Sequence, residues 1–200
     1  MQTGDTPRAP TPETAPFGGG FDHPPVAAAR AFRAAMTAMA RPGEIVTLPG
    51  VTPPAPLSPA AGALLLTLVD GDVALHLAGA WDDPALRDWL AFHTGVRLTA
   101  AEAADFAIGR WADLLPLERF RIGTPEYPDR SATLIVELEA LRPGGVALAG
   151  PGIAEVAHLP LPDPAILARN AALFPQGIDC FFTAGDRAAA LPRSTRQAGG

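Results

Sequence analysis

Four proline-marked helix starts and one two-residue glycine turn set the fold of this chain. Pro24-Pro25, Ser58-Pro59, Asp83-Pro84 and Asp163-Pro164 each put proline in the first turn of a helical segment. There its fixed φ suits the helix and its missing N–H has no partner to lose. After the first start, Val26, Ala29, Phe32, Met36 and Met39 recur at spacings of three and four. This predicts one apolar stripe along a helix that Pro42-Gly43 ends. The second helix runs to about Leu68, the third to about Phe92 with Gly95 closing it, and the fourth to about Phe174.

Strand-like runs separate these helices. They are 44–48 (EIVTL), 73–77 after the Asp70-Gly71-Asp72 turn, 106–108, and 131–138 (SATLIVEL), the last continuous enough to be central. Residues 111–120 read as partly helical. Pro143-Gly144-Gly145 predicts a hairpin from 131–138 into 146–149, and Gly185-Asp186 a second from 178–183 into 188–191. Alternation early and hairpins late imply an α/β chain whose mixed β-sheet is flanked by helices, not a purely parallel one. One domain is expected over 21–196, with residues 1–20, rich in proline, threonine and glycine, as a disordered leader.

Composition narrows the function. Two hundred residues with 48% apolar content can bury a core without a disulfide or metal. Charged residues are only 18%, against about 25% in ordinary globular chains, so some faces are expected to be covered by partner subunits. A net charge of −6 with dispersed arginines argues against nucleic acid. Cys180 stands alone, so this chain cannot form an internal disulfide or thiolate cluster. The N-terminus lacks signal-peptide order, and the longest apolar stretch, Ala60 to Val69, is half a membrane span. The expected location is the cytoplasm.

All fifteen basic residues counted as Lys or Arg are arginine. Without lysine there is no P-loop clamp, no pyridoxal-phosphate Schiff base and no amine catalysis. Gly150-Pro151-Gly152 imitates a dinucleotide fingerprint, but Glu155 holds the third glycine position and Pro151 lacks an N–H, so a tight turn is expected. His23, His76, His93 and His158 have no metal-ligand spacing and read as structural. Neither Ser131 nor Ser194 sits in a nucleophile elbow.

One cluster remains. Arg193, Ser194, Thr195 and Arg196 place two guanidinium groups and two hydroxyls just after an expected strand, a candidate anion-binding or docking element. The loop 123–128 carries the chain's single tyrosine, Tyr127, a packing or interface candidate.

Several blocks, in order, resemble the H subunit of the bacterial carbon–phosphorus lyase system, the PhnH family. They are 20–48, 63–77, Phe92-His93-Thr94, 131–141, 148–155 and, most specifically, 174–196 (FPQGIDCFFTAGDRAAALPRSTR). The resemblance implies a fold similar to the large domain of pyridoxal-phosphate-dependent transferases, without that cofactor. It implies a core complex with G, I and J subunits that transfers an alkylphosphonate, such as methylphosphonate, to C1 of the ribose of ATP or GTP. The purine is released and ribose 1-methylphosphonate 5-triphosphate forms. Iron–sulfur and S-adenosylmethionine chemistry is expected on the J subunit. Because no coherent active site assembles from these residues, the expected role is mainly structural, with Arg193 or Arg196 lent to the complex. Low charge and alanine-rich helices point to a further reading, an interaction module that forms a homodimer in isolation. An alternative is a stand-alone nucleotide-binding enzyme or glycosylase acting through the loops at 123–130 and 192–196.

Overall fold

The computed structural model describes residues 17–48 and 50–199; residues 1–16 of the expected leader lie outside the described residues. The elements run α1 (Pro24–Ala40), β1 (Val46–Thr47), α2 (Pro59–Leu68), β2 (Ala74–Leu77), α3 (Pro84–Thr94), β3 (Arg97–Leu98), β4 (Phe106–Gly109) and α4 (Trp111–Leu114). They continue with β5 (Thr133–Glu137), β6 (Val146–Ala149), β7 (Ala157–Leu159), α5 (Ala165–Leu173), β8 (Asp179–Ala184), β9 (Arg187–Leu191) and β10 (Arg196–Gln197).

Local chemistry explains the helix starts. Ser58 Oγ accepts from the Ala61 N–H, Asp83 Oδ1 from Ala85 and Asp163 Oδ1 from Ala165, each satisfying an amide with no helical partner. Gly95 closes α3 at φ 66°, a backbone that disfavours any residue with a Cβ.

A seven-stranded sheet in the order β1-β9-β8-β5-β4-β2-β3 forms the centre. The pairs from β8 to β3 are parallel, while β9 and β1 are antiparallel additions. The sheet is therefore mixed, and β5 is central as its sequence suggested. Side chains alternate along the strands: Ile108, Ile135 and Phe181 join the core under α1, α2 and α3. Ala107, Leu134, Val136, Cys180 and Phe182 join the opposite core with Ile166 and Leu167 of α5. The β8–β9 hairpin turns at Gly185-Asp186, with Gly185 at φ 58°. No helix among the described residues is long and apolar enough to cross a membrane.

Three expectations fail. The first hairpin does not exist: β6 leaves β5 and joins a separate three-stranded sheet, β10-β6-β7. Gly144 and Gly145, at φ 111° and 99°, allow the chain to turn away from β5 as easily as back along it. Most of the α1 stripe faces solvent, with Met39 alone packed against the core. Val26, Phe32 and Met36 are 55, 50 and 56% exposed, whereas Ala31, Ala35 and Ala38 are buried. α1 lies against α2 and β9, whose facing residues include Ala60, Ala61, Ala188 and Ala190. Packing alanine on alanine brings the backbones close and leaves no room for larger side chains.

The last four residues of the expected leader are also held in place. Trp89 Nε1 donates to Gly18 O at 2.8 Å, the Thr52 N–H to Gly19 O at 2.8 Å, and Phe17 stacks on Phe92 at 4.8 Å. Glycine is required at 19, where a Cβ would stand 2.0 Å from Thr52 O.

Candidate functional site

Loop 123–130, the segment 174–179 and the segment 192–196 meet at one edge of the sheet. β5 and β8 begin there, and the antiparallel β9 ends there. Gly177 N–H donates to Ile122 O at 3.0 Å and Gln176 Nε2 to Gly123 O at 2.8 Å. The buried Asn170 side chain accepts from Ile178 N–H and donates to Ile178 O, tying α5 to the entry of β8. Gly177 is needed for this approach, since a Cβ would lie 2.8 Å from Asn170 Oδ1.

Arg193 sits in the middle of this junction and is fully engaged. Its backbone N–H and Nε donate to Asp179 Oδ1 at 2.7 and 3.2 Å, Nη2 pairs with Asp179 Oδ2, and Nη1 donates to Pro128 O. Its side chain is only 15% exposed. The guanidinium fork that suits an external anion is thus used within the chain. Thr195 is buried with its hydroxyl unpartnered, and its backbone N–H closes a turn onto Pro192 O. Ser194 is half-buried, with its carbonyl 3.1 Å from the Cβ position of Gly150.

Two of the five candidates remain on the surface. Tyr127 is exposed with the Arg130 guanidinium 4.1 Å over its ring, and Arg196, in β10, stands 5.6 Å over Phe174. So the two loops proposed from sequence are adjacent, but they form a junction with an aromatic–arginine rim, and no open anion cradle is centred on Arg193. The edge matters too, because ligands of open α/β sheets sit outside the carboxyl ends of the parallel strands, and this is the amino end.

The carboxyl edge holds a group that sequence reasoning missed. Glu137 ends β5 beside its register partner Thr183 and is buried. Its Oε1 accepts from Ser58 N–H at 2.8 Å and its Oε2 from Thr183 Oγ1 at 3.1 Å. Burial pushes its pKa above the usual carboxylate range, and these hydrogen bonds offset part of that rise. Glu137 therefore holds the start of α2 onto the sheet. The signal was an acidic residue inside an apolar strand, facing a helix cap far away in sequence.

Other titratable groups stay apart. His76 Nδ1 lies 3.1 Å from Thr99 O and His93 Nε2 3.0 Å from Phe17 O, both structural hydrogen bonds. His23 and His158 are exposed. Cys180 is fully buried, and burial, then neighbouring Asp179, drives its thiol far above the ordinary value. Among the described residues, no three His, Cys, Asp or Glu side chains gather as metal ligands. Gly150-Pro151-Gly152 is a tight turn, closed by the Ile153 N–H donating to Gly150 O at 3.1 Å. Gly152, at φ 82°, brings it so near the end of α1 that a Cβ would stand 1.9 Å from Ala40 O.

The sequence that builds this fold and junction matches a known family. The model of the bacterial phosphonate metabolism protein family PhnH matches residues 19–198. The chain belongs to this family. Two relatives also match over most of the chain. The chain is 41% identical over 189 residues to the alpha-D-ribose 1-methylphosphonate 5-triphosphate synthase subunit PhnH of Rhizobium meliloti, covering 90% of this chain and 94% of that one. It is 34% identical over 176 residues to the putative C-P lyase subunit protein HtxG of Stutzerimonas stutzeri, covering 82% and 83% respectively. The PhnH match spans the Arg193 junction, both loops and the small sheet.

Proposed function

We propose that this chain is a subunit of an alpha-D-ribose 1-methylphosphonate 5-triphosphate synthase acting in bacterial phosphonate catabolism, within a carbon–phosphorus lyase complex. The match to the R. meliloti subunit across nearly both chains carries this reading. In the reaction, an alkylphosphonate oxygen forms a bond to C1 of the ribose of ATP or GTP while the bond from C1 to the purine nitrogen breaks. The departing base takes up a proton. Such a displacement passes through a cationic sugar and needs a proton donor, nearby negative charge and cationic ligands for the triphosphate.

This chain gives little support for supplying that set. Arg193 is committed to Asp179 and Pro128, Cys180 is buried, and both Glu137 oxygens are engaged. Its role is to shape the complex, with the G, I and J subunits as partners and iron–sulfur and S-adenosylmethionine chemistry on J. The reading extends to a cytoplasmic setting, self-association of the isolated chain and kinship of the fold with the large domain of pyridoxal-phosphate-dependent transferases.

The test is nucleotide–phosphonate transfer by the co-purified complex. Adenine release from ATP plus methylphosphonate should require this chain together with its partners. Release by this chain alone, or equal release by the partners without it, would overturn the proposal.

A further inference from the structure

Among the described residues, nothing packs on the solvent-facing part of the α1 stripe, Met39 alone of its residues meeting the core. Val26, Ala29, Phe32 and Met36 follow one another along the solvent side of the helix and cover about 15 Å of its length. Three of the exposed large hydrophobic side chains among the described residues lie on this one helix. Exposed apolar side chains scattered singly need no cause, but a continuous row on a stable element marks a surface that is covered in use. The row is not there to fill the core, because Ala31, Ala35 and Ala38 already seat α1.

Charge says what covers it. The 17 residues of α1 contain Arg30 and Arg33 and no carboxylate, in a chain whose net charge is −6. Both arginines are exposed, and neither is in an ion pair among the described residues. By helical spacing Arg33 lies among the row, three and four residues from Met36 and Ala29, and Arg30 lies beside Val26. Near its first residue opens a cleft of about 350 Å³ lined by Asp22, His23, Val26, Ala27, Arg30 and Gly50, large enough to receive one side chain.

A second copy fits poorly. Two-fold antiparallel packing on this row would bring Arg30 and Arg33 of one copy against the same two arginines of the other, with no carboxylate on either helix to offset them. An anionic lipid surface would attract the helix but repel the rest of a chain carrying six excess negative charges.

We propose that this face of α1 is the surface through which the chain docks onto another subunit of the synthase, against an apolar patch rimmed by carboxylates on that subunit. This rests on the synthase reading above. The apolar row supplies the packed part of the contact and the two arginines its charged part, so the arginines set encounter rate and choice of partner.

The test uses the full chain, purified, with the other subunits of the synthase. Phe32→Glu with Met36→Glu, and separately Arg30→Glu with Arg33→Glu, alter only exposed side chains, so both variants should keep the wild-type circular dichroism and melting temperature. The wild-type chain should assemble with the other subunits more weakly as salt rises. The apolar-row variant should weaken assembly by at least ~30-fold. The arginine variant should weaken it by roughly tenfold and reverse the salt trend. The self-association state of the isolated chain, read by light scattering, should be the same in all three.

Assembly of the apolar-row variant at wild-type affinity would overturn the inference while leaving the synthase reading intact. So would an isolated dimer that this variant dissolves, or binding of the isolated wild-type chain to phosphatidylglycerol vesicles that the variant abolishes; these would assign the face to a second copy and to lipid respectively. No assembly by the wild-type chain would overturn both the inference and the synthase reading.

Discussion

Arg193 and Asp179 are joined by the backbone N–H, Nε and Nη2 of the arginine onto the two oxygens of a single carboxylate. The pair closes the start of β8 against the segment that leaves β9, and Pro128 brings the 123–130 loop onto the same guanidinium.

Removing that fork should act on stability. With side chains 15 and 20% exposed, Arg193→Ala leaves Asp179 largely unpaired in a poorly hydrated site. The expected loss is ~3 kcal/mol, a fall in melting temperature of roughly 6–12 °C for a chain of this size. Scanning fluorimetry reads it directly. An unchanged melting temperature, combined with lost ATP binding, would instead make Arg193 a ligand-binding residue.

Glu137 should leave a signature in the pH dependence of stability. Its pKa is raised in the folded chain by burial, so the folded state keeps a proton that the unfolded state has already released. Stability from this group is present at low pH and declines as pH climbs from the usual glutamate value through the raised one. Glu137→Gln can still accept from Ser58 and bond to Thr183, so it should stay within about 1 kcal/mol of wild type at neutral pH. The difference between the two denaturation curves, followed from pH 4 to 8 in urea (roughly the span over which a shifted carboxylate titrates), should slope downward with pH. A flat difference would show that Glu137 titrates alike in both states.

Two glycines with positive φ separate strain from crowding. At Gly144, φ is 111° and nothing lies within 4 Å of a Cβ, so Gly144→Ala should cost about 1–2 kcal/mol. At Gly152, φ is 82° and the Cβ would overlap Ala40 O. Gly152→Ala should cost at least ~3 kcal/mol, because the turn after β6 must withdraw from the end of α1. Equal costs in chemical denaturation would contradict the close approach.

Cys180 should be silent. Its thiol is buried and held protonated by its surroundings, so a disulfide-exchange reagent at pH 8 should label it only after unfolding in guanidinium. Rapid labelling of the native chain would show that β8 opens locally.

The helix starts were legible because their causes are local. A serine or aspartate followed by proline decides the first turn within four residues, as Ser58, Asp83 and Asp163 do. The β8–β9 turn was legible for the same reason. The facing of α1 was not, because hydrophobicity points Phe32 and Met36 inward, and only the alanines supplied by α2 and β9 make a small-residue contact the better fit. The partners of β6 were hidden because β7 and β10 are three and two residues long, too short to announce themselves. The commitment of Arg193 was within reach. A hairpin turning at Gly185-Asp186 pairs Cys180 with Leu191, which carries Asp179 to the level of Pro192, one residue from the arginine.

Residues 192–195 run from β9 in the large sheet to β10 in the small one, and Arg196 and Gln197 then pair with Ala149 and Leu148. That short stitch ties two sheets whose other strands were laid down up to 150 residues earlier, from Val46 onward. The entry to β8 can close only once Arg193 has been made, and the small sheet is complete only with Arg196 and Gln197, so this seam waits for every earlier strand whatever order those strands follow.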